Sequence, residues 1–294
     1  MPGEFYALLA AVAYGIAGVT ISKGKITARG DNGVFLSVVV TATLTFALWL
    51  GWGRVSLADL QTPDALLPLA IFAVAGVFST VLGRVTMYRA TEQLGAVSAS
   101  FLRRLAPVFA LPFAFLMLSE LPDAAAFLGS ALVLVSAGVY MWQPTASLMA
   151  ASRAGLVLGV ASAAFYAAAY ALRAYGLDHL PDAAFGTFIG ALVGCFWFLG
   201  AAVLGNRRKT RLRRLVADRG PWHWLTAVAL STGQTMQFFA LKSAPVVSVA
   251  TIGALEVFFS AALIAVLYGR NHLAVGRLLA AGSLAALGTA LLVW

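Results

Sequence analysis

Four ionisable side chains, Arg84, Arg103, Arg104 and Glu256, fall inside long apolar stretches, and between Ser243 and Gly269 Glu256 is the only ionised group. An ion at hydrocarbon depth is costly and rare, so it faces a bundle interior or a watered cavity. A guanidinium there can take a carboxylate and Glu256 can take an ammonium, so together they suit a zwitterionic solute. The same residues equally suit an internal salt bridge between Glu256 and an arginine. Either arrangement needs further hydrogen bonds or a wet cavity to offset desolvation.

Helical spacing says which side chains could share a site. Arg84, Met87 and Tyr88 fall at i, i+3 and i+4, one face of a helix. Phe101 and Arg104 share a stripe on the next span, whereas Arg103, about 100° round, should point elsewhere or snorkel toward the headgroups. Glu256 lies about ten residues, hence ~15 Å, into its span, close to the midplane. Tyr14, Tyr88, Phe101, Tyr166 and Tyr170 could stack on an aromatic solute at about 0.5–1.5 kcal/mol per pair, though ordinary packing also accounts for each. Pro107 and Pro112 each remove a backbone hydrogen bond and make either a hinge or a static kink. The equivalent later span has Pro245 only at its start, so the earlier one is expected to bend more.

The elements that must position these groups are set by lipid. Hydrophobic residues are 61% of the chain, charged residues 11%, and mean hydropathy is +0.90; a soluble domain carries about 25% charged residues. Crossing a ~30 Å hydrocarbon layer takes about 20 residues. Ten such windows occur, near 5–22, 34–52, 66–89, 96–118, 124–142, 154–175, 183–204, 222–242, 246–268 and 273–294. Short turns such as Gly30-Asp31-Asn32-Gly33 and Leu180-Pro181-Asp182 separate them and leave no room for a soluble domain. Glu4 stands where a signal peptide has a basic region, so the first span is expected to be a resident helix.

The net charge of +9 is a topology signal rather than a nucleic-acid one. With spans numbered in order, 17 of the 20 basic residues fall on one face and 3, Arg54, Arg173 and Lys242, on the other. Cytoplasmic loops carry such an excess, which puts both termini outside. The Arg-rich loop 206–219 is then cytoplasmic, a topology anchor near anionic lipid rather than a binder of RNA or a regulator. Gly186, Gly190 and Gly194, with Ser37, Thr41 and Thr45, are small residues at four-residue intervals that let helices approach closely in lipid. Trp49, Trp52, Trp142, Trp222, Trp224 and Trp294 read as an interfacial belt.

A shift of 150 residues aligns Ala90 with Ala240, Val97-Ser98 with Val247-Ser248, Phe109 with Phe259 and Gly138 with Gly288. It also sets Arg84, Met87 and Tyr88 against Gln234, Gln237 and Phe238. The two copies, residues 1–146 and 147–294, hold five spans each, so the second must enter from the opposite side, as in transporters with a midplane site between inverted repeats. The segments Leu94-Gly95-Ala96-Val97-Ser98-Ala99, Leu105-Ala106-Pro107-Val108-Phe109 and Leu118-Ser119-Glu120 resemble the EamA repeat of the drug/metabolite transporter superfamily. Pro245-Val246-Val247-Ser248 and Leu255-Glu256-Val257-Phe258 form a weaker copy, with Val257 where a proline and Arg270 where an acid is expected.

Within that superfamily the chain is most similar to bacterial aromatic amino acid exporters of the YddG type. The resemblance implies an all-α integral membrane fold of ten transmembrane helices in two inverted five-helix repeats, and a multi-pass monomer in a bacterial inner membrane. The expected site residues are Tyr14, Arg84, Tyr88, Phe101, Arg104, Tyr166, Tyr170, Gln234, Gln237 and Glu256, with Pro107 and Pro112 as hinge. The expected activity is export of neutral, aromatic amino acids by alternating access, with proton-coupled export of drugs or cationic metabolites as the alternative. The partners are a small-molecule substrate and the bilayer, with no nucleic acid, metal or cofactor. His179, His223 and His272 are scattered at loops and span ends, which argues against an intramembrane enzyme.

Overall fold

The computed structural model describes residues 3–103, 105–141, 152–268 and 275–293, and every regular element among them is helical. The first half runs α1 (Gly3–Thr27), α2 (Val34–Trp52), two short 3-10 turns, α3 (Leu66–Gly76), a π-helical stretch Val77–Gly83, α4 (Arg84–Leu94), α5 (Ala96–Arg103), α6 (Ala106–Leu118) and α7 (Ala124–Met141). The second runs α8 (Arg153–His179), α9 (Ala183–Leu204), α10 (Arg208–Leu215), α11 (Pro221–Leu241), α12 (Val246–Gly253), α13 (Glu256–Tyr268) and α14 (Val275–Val293).

Among the described residues six helices are long and apolar enough to cross a membrane: Gly3–Thr27, Val34–Trp52, Pro63–Leu94, Arg153–His179, Ala183–Leu204 and Val246–Leu267. Ala106–Leu118, Ala124–Ser136 and Ala280–Leu291 are apolar but shorter. The remaining long helix, α11, carries Ser231, Gln234, Thr235 and Gln237, all buried. Leu116, Leu204, Val266 and other large apolar side chains face outward, which only a hydrocarbon surround makes favourable. The windows 34–52 and 183–204 match α2 and α9. The helix expected at 154–175 extends to His179, which moves Arg173 from a span end to an interior turn.

Small residues set the spacing between helices, as the sequence indicates. A Cβ at Gly76 would stand 2.6 Å from the Gly190 Cα, and Gly186 packs under Phe72 and Phe238. In lipid such contact supplies the van der Waals packing that Leu against Leu cannot add over acyl chains. The same packing recurs in couples. α1 lies on α11 as α8 lies on α3 and α4, α13 lies on α1 as α6 lies on α8, and α2 meets α9 as α7 meets α14.

Carboxylates tie the connections down. Asp31 accepts from the backbone N–H groups of Gly33 and Phe35 at the start of α2, and Asp182 from that of Phe185 at the start of α9. Asp218, after α10, accepts from the backbone N–H groups of Arg29, Gly30 and Asn32 at 2.6, 2.9 and 2.7 Å. Burial, reinforced by the Asp218 charge, pushes the Asp31 carboxyl up to about 6 against the opposing pull of its cap hydrogen bonds. Trp49 is not a belt residue: it is buried, and its Nε1 donates to the Val55 carbonyl at 2.8 Å.

Candidate functional site

Two helices that could have been continuous are interrupted, and the interruptions face each other. α5 ends at Arg103 and α6 begins at Ala106; α12 ends at Gly253 and α13 begins at Glu256. Each break is spliced by tighter bonds, Leu105 N–H to the Leu102 carbonyl at 3.1 Å and Leu255 N–H to that of Ile252 at 3.0 Å, the i to i−3 pattern of a 3-10 turn. Pro107 sits in the first turn of α6 and Pro112 inside it, but the second break contains no proline. Nothing in the sequence around Gly253–Glu256 signals that second break.

A cavity of about 30 Å³ lies between the breaks, bordered by Arg103, Ala106, Gly253 and Glu256. Arg103 Nη2 donates to Glu256 Oε1 at 2.7 Å, and the side chains are only 11% and 8% exposed. This corrects the helical-wheel argument that turned Arg103 away from the site. That argument assumed an unbroken helix, whereas Arg103 ends α5 and is freed from its face. Its charge sits at a helix C-terminus and that of Glu256 at a helix N-terminus, the favourable end for each. Arg104 lies outside the described residues; Phe101 belongs to α5, with its side chain outside what the structure describes.

Aromatic walls close the cavity. Tyr14, Tyr166 and Tyr170 border it, with Met87, whose sulfur accepts from the Tyr166 hydroxyl at 3.7 Å. The Tyr166 and Tyr170 ring centroids stand 6.3 Å apart. Tyr88 is buried beside Arg84 on α4 without bordering the cavity.

Behind the tyrosines lies a polar layer centred on α11. Arg84 Nη2 donates to Gln234 Oε1 at 2.5 Å and its Nη1 to Ser37 Oγ at 2.9 Å. Thr41 Oγ1 lies 3.5 Å from the same nitrogen and 2.9 Å from Ser231 Oγ. Ser37 and Thr41 therefore belong to the site and not only to packing. One residue was missed altogether: Arg173, assigned from loop charges to the outer face, is 1% exposed and donates through Nη1 to Gln237 Oε1 at 2.8 Å. Tyr14 donates to the same Gln237 oxygen at 3.2 Å. The π-helical stretch just before Arg84 leaves the Gly83 carbonyl to accept from Ser162 Oγ at 3.3 Å; such stretches re-aim the residues that follow. Arg84 and Gln234, separated by 150 residues in sequence, touch directly. Among the described residues no group of His, Cys, Asp and Glu is placed to hold a metal ion.

Residues 1–142 match the EamA-like transporter family. A crystal structure at 14% identity superposes with a TM-score of 0.69 over 99% of this chain and 98% of its own, a likeness of fold alone. No curated protein matches.

Proposed function

From a chain that belongs, through residues 1–142, to the EamA-like transporters of the drug/metabolite superfamily, we propose export of neutral, aromatic amino acids by alternating access. The observation that carries the reading is the Arg103–Glu256 pair held between two broken helices and flanked by Tyr14, Tyr166 and Tyr170. An amino acid zwitterion carries the complement of that pair, a carboxylate for Arg103 and an ammonium for Glu256. Its ring then meets tyrosines, and the small Ala106 and Gly253 on the other diagonal leave it space. A cavity of about 30 Å³ is far below the ~300–1,000 Å³ of a ligand pocket, so this is a contracted state that opens to admit solute.

The reading takes the architecture to be ten spans in two inverted repeats, 1–146 and 147–294. Elements begin 150 residues apart in α1 and α8, α5 and α12, and α6 and α13. Only near a pseudo-twofold axis can residues so related meet, as Arg84 and Gln234 do. Both repeats are in one chain, so the site is complete in a monomer. Removing the buried Arg84 and Arg103 from the seventeen inner basic residues and Arg173 from the three outer ones leaves fifteen against two. The remaining asymmetry supports the reading that both termini lie outside and loop 206–219 in the cytoplasm.

Counterflow in proteoliposomes tests the reading. Phenylalanine and tryptophan are expected to exchange and to compete with one another, and Arg103→Gln to abolish exchange; failure of both amino acids to move or compete overturns it. Proton-coupled export of cations has less support, because Glu256 is already engaged by Arg103. Transport of cations driven by a pH gradient and lost in Glu256→Gln would establish it instead.

A further inference from the structure

Arg84 and Arg173 are enclosed, at 2% and 1% exposure, and neither lies within ion-pair distance of a carboxylate among the described residues. Each is held by neutral groups. Arg84 reaches Ser37 and Gln234, while Arg173 reaches Gln237 and lays its guanidinium 4.5 Å from the Phe238 ring centre. Arg84 Nε, Arg173 Nη2 and Gln234 Nε2 are buried donors without an acceptor among the described residues. A buried donor left so costs about 1–3 kcal/mol, more when charged. A guanidinium cannot shed its proton to escape the cost.

The two cations converge. Gln234 and Gln237 are three residues apart on α11, hence neighbours on one face within about 5–6 Å, and Arg84 comes to them from α4 and Arg173 from α8. Tyr14 links the layer to the cavity, since its hydroxyl bonds Gln237 while its ring borders the space. Two positive charges and three idle donors converging on one turn are the complement of an acceptor-rich negative group, and they repel any cation.

We infer that Arg84 and Arg173, with Gln234, form a binding site for a compact monovalent anion in the polar layer behind the tyrosines, distinct from the Arg103–Glu256 pair. The shared chemistry is that of a halide or a small carboxylate: a chloride ion from the medium, or the acid group of a solute. The inference does not rest on the aromatic amino acid reading. Its test contains no amino acid, so either can fail while the other stands.

The full-length protein in detergent is melted by its tryptophan fluorescence while chloride, or separately acetate, replaces methanesulfonate at constant ionic strength. A rise in Tm that grows with the logarithm of anion concentration, reaching about 3–5 °C near a hundredfold excess over Kd, is expected for the wild type. A rise with chloride identifies a free-ion site, and a rise with acetate alone a carboxylate subsite. Arg173→Gln and Arg84→Gln are expected to lose the rise, and to melt in methanesulfonate no lower than the wild type because an uncompensated charge is gone. Arg211→Gln, on α10, keeps the rise. Should neither site variant fold, equilibrium dialysis of radiolabelled chloride and, separately, of radiolabelled acetate against the wild type is expected to find one saturable site per chain for at least one of the two anions. A wild-type Tm indifferent to both anions, a response intact in Arg173→Gln, or dialysis without saturation overturns the inference.

Discussion

Exchanging the members of the Arg103–Glu256 pair for glutamine, singly and together, asks whether the two broken helices are energetically joined. Both side chains are about one-tenth exposed, so solvent screens the contact little and the range for buried pairs applies: removing one partner costs about 3–5 kcal/mol. Much of that is the charge left behind, so removing both relieves it, and two amides can still hydrogen-bond. Unfolding entropy of about 2.1 cal/mol/K per residue over 294 residues gives about 0.6 kcal/mol/K. Each single variant is then expected to melt about 5–8 °C below the wild type, and the double variant no lower than either. Helices that stay formed in the unfolded membrane state lower the entropy and enlarge these shifts. The assay is the thermal midpoint of all four proteins in one detergent at one pH. If the double variant loses the sum of the single losses, the side chains do not interact, and the pair can neither hold the closed state nor be replaced by a zwitterion.

Gly76→Ala places a methyl 2.6 Å from the Gly190 Cα and 2.7 Å from its carbonyl oxygen; overpacking of this kind costs about 1–3 kcal/mol, so Tm should fall by about 2–5 °C, while Gly51→Ala, which meets nothing within 4 Å, leaves it unchanged. Asp31→Asn tests the carboxyl raised from 3.8 to about 6. The folded state keeps that proton where the unfolded chain has lost it, so wild-type stability falls as pH rises from about 4 to about 6, and the asparagine variant, which can still cap α2, should lack that component of the Tm profile. Asp218→Asn weakens the hold on the 28–33 connection; the Arg29, Gly30 and Asn32 amides should exchange about tenfold faster, as a loss within the ~1–3 kcal/mol range implies, with α1 amides unchanged.

The polar interior was legible in the sequence because charge and amide in an apolar run have few places to go: Arg84, Gln234, Gln237 and Glu256 all lie buried, as does Tyr14. What escaped depended on backbone detail. Arg103 reaches Glu256 only because α5 stops there, and no hydrophobic period announces a stop four residues ahead of a proline that is itself compatible with a first helical turn. Arg173 was misplaced because a charge near a window edge looks like a loop residue, yet four more residues of tolerant helix, Gly176-Leu177-Asp178-His179, carry it inward. Ser37 and Thr41 were read as spacers, since their hydroxyls can return to the helix backbone as readily as they can meet a guanidinium.

The two interruptions occupy equivalent positions although only one is followed by a proline, so proline does not place them. In hydrocarbon an interrupted helix leaves backbone groups that cost several kcal/mol each unless a cavity or a polar group receives them. The breaks are tolerable because local bonds, Leu105 N–H to the Leu102 carbonyl and Leu255 N–H to that of Ile252, keep backbone groups paired, while Arg103 stands at the C-terminal end of α5 and Glu256 at the N-terminal end of α13, the favourable end for each. Each ion therefore has two sources of stabilisation, its helix end and its partner across the cavity. A solute that separates the pair removes only the second and offers its own charges in place of it. Two ions held in mid-helix would have no such reserve, and opening the cavity between them would cost the whole of the buried pair.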